Sequence, residues 1–283
     1  METRTLVGGS VQLSVLGQGT WQISTRGASA DEALEALRRG VELGMTHIDT
    51  AEMYGNGEAE KLVARLLRDG DVRRDQVVLA SKVLPQNASY EGTLEACERS
   101  LRRLGTDVLD LYMLHWPGSH PIAETMRALE KLVDDGRVRA LGVSNFDVDE
   151  LEAARGALRH HPLAFNQVLY HLQERSIEHA LIPYCEKHRI LVVGYSPFGQ
   201  DRFPTGSKLG VLEEIGKSHD KTARQVALSF LTRKSITVAI PKSQQWSHTE
   251  ENAGGTGWRL DDDEVQAIEQ AFPLRARREL PML

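Results

Sequence analysis

Residues 17–22 read Gly17-Gln18-Gly19-Thr20-Trp21-Gln22. A dinucleotide-binding turn on an open, doubly wound sheet carries a third glycine at the sixth place, where helix and strand pack closely. Gln22 stands there instead, so the stretch ends a first strand near Leu16-Gly17-Gln18-Gly19 without opening such a turn. Outward from it run seven more short apolar segments: Met45–Ile48, Val77–Ala80, Val108–Leu114, Val138–Val143, Leu163–Phe165, Ile190–Val193 and Ile236–Ile240. They are β-branched or leucine-rich and mostly lack strict alternation, as do parallel strands buried on both faces.

Helical patterns separate these runs. Ser29 with Glu32 reads as a capping box ahead of Ala33, Leu34, Leu37 and Val41, and Thr222 with Gln225 reads as another ahead of Val226, Ala227 and Phe230. Leu94, Cys97, Leu101 and Leu104 step by three, four and three, which turns Cys97 toward a core. Alternating βα units imply a parallel sheet, and eight strands close it. The expected fold is therefore α/β, a (β/α)8 TIM barrel with an N-terminal β-hairpin. Residues 1–15 form that hairpin around Gly8-Gly9-Ser10, and residues 274–283 read as a basic, irregular tail and a mobile flap. The whole of 1–283 reads as one domain. The longest irregular stretch, Ser196 to Ser207, has the length of a functional loop.

Composition sets the class. Of the 283 residues 41% are hydrophobic and 26% charged, as in ordinary globular proteins. With 34 Lys and Arg against 40 Asp and Glu the net charge is −6, which argues against a nucleic-acid or anionic-membrane partner. Cys97 and Cys185 are the two cysteines, too few for a disulfide framework and suited to a reducing cytoplasm. No apolar run approaches the ~20 residues that span a bilayer.

A barrel of this kind carries its site at the C-terminal strand ends. In order these hold Asp49, Lys82, His115, Ser144-Asn145, Gln167, Tyr195 and Lys242. One polar residue at a strand end signals only that the chain is leaving the core. An Asp, a Lys and a His on adjacent strands, each 33 residues after the last, converge on one mouth. Tyr54 follows on the loop after Asp49. A free phenol has a pKa of about 10. A neighbouring ammonium is expected to lower it, with the Asp holding the Lys charged, which makes a proton-donating site.

These residues lie in longer motifs: GMTHIDTAEMYGNG at 44–57, LASKV at 79–83, LDLYMLHWPG at 109–118, GVSNF at 142–146, NQVLYH at 166–171, YSPFG at 195–199 and IPKS at 240–243. Together they resemble the aldo-keto reductase family, collinearly from LGQGTW at 16–21 to Glu251-Asn252, and most of all bacterial members that reduce methylglyoxal and other small aldehydes. The resemblance implies an NADPH-dependent reductase of small carbonyls (aldehydes, α-dicarbonyls or keto-sugars), cytoplasmic and monomeric. It makes Tyr54 the proton donor, tuned by Lys82 paired with Asp49, and makes His115 the residue that orients the carbonyl. It puts the nicotinamide on Tyr195, with its carboxamide at Ser144, Asn145 and Gln167, and Gly19, Thr20 and Asp49 beside the cofactor. The pyrophosphate would lie under Ser196, Pro197 and Phe198, and the adenosine near Lys242, Ser243, His248, Glu251 and Asn252. Trp21 and Trp116 match the substrate walls, and Phe198 is expected to add to an apolar pocket. The family often has an Arg where His248 stands. Histidine lacks the bidentate fork that grips a 2′-phosphate, so discrimination against NADH is expected to be weaker.

Rival readings fall away or narrow. GVSNF and GYSPF end in Phe, which denies them the closing glycine of a serine nucleophile elbow. Ten histidines supply no H-E-x-x-H and no Cys/His metal spacing, and His160-His161 reads as a solvated loop, so no metal is expected. A phosphate-sugar isomerase barrel explains neither IPKS nor Tyr54. The alternative of another class is an NADP(H)-binding regulatory module on the same barrel, as in potassium-channel β subunits. The complete set Asp49, Tyr54, Lys82 and His115, with no added N-terminal segment or long insertion, favours the enzyme.

Overall fold

The computed structural model describes residues 1–9, 11–69, 72–200, 202–275 and 280–282. Eight parallel strands follow the chain in order: β3 (Gln18–Gly19), β4 (His47–Asp49), β5 (Val78–Val83), β6 (Leu109–Leu114), β7 (Val138–Ser144), β8 (Phe165–Leu169), β9 (Leu191–Tyr195) and β10 (Thr237–Ile240). Parallel bridges Leu16↔Ala239 and Gly19↔Lys242 join the first strand to the last and close the ring. Ahead of it, β1 (Thr3–Thr5) and β2 (Gln12–Ser14) pair antiparallel as the expected hairpin, with Gly8 and Gly9 at positive φ in the turn and Ser10 outside the described residues.

Helices alternate with the strands: α1 (Ala28–Glu42), α2 (Glu58–Arg68), α3 (Tyr90–Leu104), α4 (Ile122–Asp134), α5 (Val148–Ala157) and α6 (Leu181–His188). Two, α7 (Ser207–Ser218) and α8 (Ala223–Leu231), separate β9 from β10, and α9 (Trp246–Ala253) and α10 (Asp262–Ala271) follow the barrel. Thr222 caps α8 in the expected box with Gln225. The Ser29–Glu32 box does not form: α1 begins at Ala28 behind Gly27, which sits at φ 62°, ψ −163° and gives no side-chain cap. A glycine turns there at little cost, so the chain enters the helix before Ser29 can act as its cap.

The strands bury two faces. Toward the ring axis point Ala80, Leu111, Met113, Phe165, Val193, Val238 and Ile240, and the hairpin's Leu6, Val11 and Leu13 join the same cluster. Ser14 Oγ accepts from the backbone N–H of His47, the first residue of β4, so the hairpin plugs the N-terminal end of the barrel. Phe165 fills the axis because Gly142, paired with it on β7, has no side chain; a Cβ there would overlap the ring. On the other face Ile48 and Tyr112 of the strands join the larger cluster with Leu37, Val63, Cys97, Leu101 and Phe230 of the helices.

One strand runs further than its apolar pattern. Leu163–Phe165 reads as a short strand, yet β8 continues through Asn166 and Gln167 to Leu169. Two buried amides interrupt the apolar run but not the sheet, because the NH2 group of each finds an acceptor, although Asn166 Oδ1 has no protein partner. Asn166 Nδ2 donates to the Phe146 carbonyl and Gln167 Nε2 to Asp49 Oδ1, 2.8 and 2.7 Å. Gln167 thus lies inside a strand, not at its end. The tail reading falls partly outside the described residues, which omit 276–279 and 283. His160 is exposed as expected, whereas His161 meets Asp134 at 2.7 Å.

Candidate active site

At the open end of the barrel, Lys82 projects from β5 with its side chain fully buried. Its Nζ donates to Asp49 Oδ2 at 2.7 Å, to the Thr50 carbonyl at 2.8 Å and to Tyr54 Oη at 3.0 Å. An ammonium has three N–H groups, and all three are used. Asp49 gives its second oxygen to Gln167 Nε2, and Thr20 Oγ1 donates to the Asp49 carbonyl at 2.9 Å. The Lys–Asp pair is therefore neutral as a unit and hydrogen-bonded throughout, the condition under which buried charges persist. The sequence points to Asp49 and Lys82 but not to the Thr50 carbonyl, since a backbone acceptor leaves no trace in residue type.

Tyr54 reaches this ammonium because the chain turns immediately behind it. Gly55, Asn56 and Gly57 have φ of 57°, 55° and 86°, a run of left-handed backbone that only glycine and asparagine accept readily. At Gly57 a Cβ would also lie 2.6 Å from Cδ and Nε of Arg103. Glu52 braces the same loop, accepting from the Leu84 N–H and Asn87 Nδ2 on the loop after β5.

His115 directly follows β6, and its ring stands edge-on to Tyr54, 5.7 Å between centres at 71°. Trp116 lies 4.7 Å from His115 and Trp21 lies 5.0 Å from Tyr54. Trp21 is 40% exposed, so it is not a core aromatic. The Phe198 ring meets Phe203 and the Arg224 guanidinium. Among the described residues no cluster of three His, Cys, Asp or Glu side chains suits a metal.

Electrostatics follow from burial. The Tyr54 phenol is raised well above its ordinary value, first by loss of water and then by the Asp49 charge. This overturns the expected lowering by Lys82: stripping water from a phenolate outweighs the nearby cation. Burial also lowers Lys82, opposed by Asp49. His115 is pushed down to about 2 by burial and then by the Lys82 charge, so its imidazole is neutral. His115 Nδ1 is buried without a protein partner.

The remaining candidates form a belt. Ser144 Oγ donates to the Gln167 carbonyl, Asn145 Nδ2 to the His115 carbonyl and Ser144 Oγ, and Tyr195 Oη to Asn145 Oδ1. Asn145 and Ser196, just after β7 and β9, take positive φ of 60° and 49°, strain of the kind found at working sites. Pro197 is buried behind them. Across the mouth, the Gly19 N–H donates to the Pro241 carbonyl beside Lys242, and Ser243 Oγ donates to the Gln245 carbonyl. His248 is exposed on α9, Glu251 half-buried and Asn252 buried. Lys242 makes no ion pair among the described residues, and partial desolvation lowers its pKa.

The Aldo/keto reductase family profile matches residues 15–272. The methylglyoxal reductase YeaE of Escherichia coli (strain K12) is 42% identical over 94% of this chain and 93% of its own. The glyoxal reductase of Bacillus subtilis (strain 168) is 34% identical over 92% and 89%. Among solved structures, an aldo/keto reductase from Klebsiella pneumoniae in complex with NADP and acetate superposes with a TM-score of 0.91 at 36% identity, covering 99% of each chain. An aldo-keto reductase from the same organism in complex with NADPH gives 0.90 at 36% identity over the full length of both. On this match, which spans the barrel and every candidate residue, the chain belongs to the aldo/keto reductase family and is an oxidoreductase.

Proposed function

We propose that this enzyme reduces small aldehydes, α-oxoaldehydes such as methylglyoxal foremost, to alcohols with NADPH, and that Tyr54 donates the proton. One observation carries the reading. Lys82 spends all three of its N–H groups on Asp49, Thr50 and Tyr54, so the Tyr54 oxygen accepts from an ammonium and keeps its own proton free for a carbonyl in the mouth. A pKa raised by burial suits that role, since the phenol stays protonated at every pH where the enzyme would work. The phenolate left after transfer would keep this 3.0 Å contact to Lys82 Nζ, which strengthens as negative charge develops on the oxygen. The neutral His115 beside Tyr54 orients the carbonyl, and Trp21 and Trp116 wall a small apolar mouth.

NADPH, when bound, supplies the hydride. The residues present suit it. Gln167 uses one amide N–H on Asp49 and retains the other with its carbonyl, and Ser144 and Asn145 stand beside it for the carboxamide, with Tyr195 next to them. Gly19 and Thr20 line the opposite strand end. Lys242 is a cation with no ion pair among the described residues, placed with Ser243 and near His248, Glu251 and Asn252 for the adenosine end. Named relatives that reduce methylglyoxal and glyoxal support the substrate class. We read residues 1–283 as one domain acting as a cytoplasmic monomer, because one chain carries every proposed residue and both cysteines are unpaired. No helix among the described residues is long and apolar enough to cross a membrane.

The test is NADPH oxidation with methylglyoxal, compared between the wild type and Tyr54→Phe. The variant is expected to lose about 10²–10⁴-fold in kcat, the usual contribution of a general acid, while NADPH affinity stays within threefold. Turnover by Tyr54→Phe at the wild-type rate would sink the assignment. Tight NADPH binding with no turnover of methylglyoxal, aromatic aldehydes or keto-sugars would favour a regulatory role.

A further inference from the structure

Arg224 is the second residue of α8. Its guanidinium carbon lies 4.8 Å from the centre of the Phe198 ring and 4.6 Å from that of Phe203. Both rings belong to the loop between β9 and α7, where they meet edge to face at 5.8 Å and 78°. Two other arginines on an aromatic ring make a contrast. Arg175 and Arg233 share the Phe230 ring and both pair with Glu178. Arg224 makes no ion pair and no side-chain hydrogen bond among the described residues, in a chain where acidic groups outnumber basic ones.

Stacking fixes a guanidinium without neutralising it. An aromatic ring attracts the cation without accepting a conventional hydrogen bond from it, so its N–H donors remain for a planar or tetrahedral anion. The place of Arg224 narrows the choice of anion. Its neighbour Gln225 donates Nε2 to the Glu251 carbonyl on α9 at 2.9 Å. Helix α8 thus stands between the loop of Ser196, Pro197 and Phe198, which Arg224 meets, and the helix of His248 and Glu251, which Gln225 meets. An arginine is missing from position 248, and the cation that could replace it stands on the adjacent helix.

We propose that Arg224 is a phosphate-binding residue of the dinucleotide site, contacting a phosphate of the adenosine half, and that the Phe198–Arg224–Phe203 stack ties this contact to the position of the loop. The inference rests on the reading that the enzyme binds NADP(H). It assigns Arg224 part of the anchoring that His248 cannot give, and it makes cofactor affinity depend on a residue outside IPKS.

Quenching of protein fluorescence by NADPH and by NADH, titrated on the wild type, Arg224→Lys and Arg224→Leu at low and moderate salt, tests it. Arg224→Leu is expected to bind NADPH about tenfold to a hundredfold more weakly, the usual effect of losing a charged hydrogen bond. Arg224→Lys recovers part of this because the charge remains, and the salt dependence is shallower in Arg224→Leu than in the wild type. An equal loss for NADH supports a contact to the pyrophosphate, and a loss confined to NADPH supports one to the 2′-phosphate. NADPH affinity of Arg224→Leu within twofold of wild type overturns the proposal. So does Arg224→Lys as weak as Arg224→Leu, since the side chain would then act only by holding the loop. A wild type that fails to bind NADPH would remove the cofactor reading itself, whereas tight wild-type binding with an indifferent Arg224→Leu removes only the role of Arg224. Unfolding midpoints measured without ligand show that the variants compared are folded.

Discussion

His47 lies two residues before Asp49 on β4, on the same inward face, and both of its ring nitrogens are buried without a protein partner. A Cβ on Gly17 would stand 2.9 Å from its Nδ1, so the ring fills space that this glycine leaves on the neighbouring strand. Burial pushes the imidazole from 6.5 down to about 4, and the Lys82 charge adds to this while Asp49 and Asp110 oppose it. Between those two values the unfolded chain takes up a proton that the folded chain refuses, so stability rises with pH across the window and is lost as pH falls. At pH 5 the unfolded imidazole is about 1.5 pH units below its pKa, a cost of about 2 kcal/mol to the fold. Urea unfolding at pH 7.5 and pH 5.0 is expected to show this loss in the wild type and a loss smaller by about that amount in His47→Leu. Equal pH dependence in the two proteins would mean that His47 is not the group responsible. His115, held near 2, adds a second contribution of the same sign that His47→Leu leaves in place.

At the scale of elements, the turn from Tyr54 to Gly57 decides whether Asp49, Lys82 and Tyr54 come together. Asp49 and Lys82 sit on adjacent strands and would approach one another in any such barrel, but Tyr54 arrives only because the next three residues take left-handed backbone. Gly57→Ala forces a side chain at φ 86° against Arg103, whose Nε is bonded to the buried Glu60 carboxylate. The expected cost is about 1–3 kcal/mol of stability, together with a fall in kcat greater than that in NADPH affinity, because the strain falls on Tyr54 and not on the residues proposed to hold the dinucleotide. Urea midpoints and steady-state kinetics measure both; an unchanged kcat would show that Tyr54 is placed independently of the turn. These elements also mark how far the sequence could be read. Strand ends, hairpin and the Thr222 cap follow from patterns local to the chain. The Ser29 box fails because a glycine two residues earlier offers a competing start, and β8 outruns its apolar pattern because the amide N–H groups of Asn166 and Gln167 find acceptors on other strand ends. The direction of the Tyr54 pKa escapes the sequence for the same reason: burial, which residue types do not state, outweighs the cation that they do.

The molecule as a whole separates folding from chemistry along the barrel axis. One end is plugged by the hairpin, whose Leu6, Val11 and Leu13 pack with Ala80, Leu111 and Met113, while Lys82, one turn of the pleat beyond Ala80 on the same strand, carries the charges of the mouth. The candidate residues run from Gly19 to Asn252, so no segment of the chain holds the site by itself, and the ring must close through Leu16↔Ala239 and Gly19↔Lys242 before the two edges of the belt face each other. Conservative damage at the plugged end should therefore lower stability without touching the reaction. Leu13 is fully buried, and Leu13→Ala is expected to cost about 2–5 kcal/mol, the range for a leucine removed from a packed interior. At 25 °C, and wherever the variant remains folded, its kcat and KM for methylglyoxal should match the wild type within twofold, because the hydrogen bonds of Lys82 do not pass through the hairpin. A kcat that falls in step with the urea midpoint, measured well below the onset of unfolding, would show instead that the interior transmits strain from the plug to the ammonium, and that the two ends of the barrel are one mechanical unit.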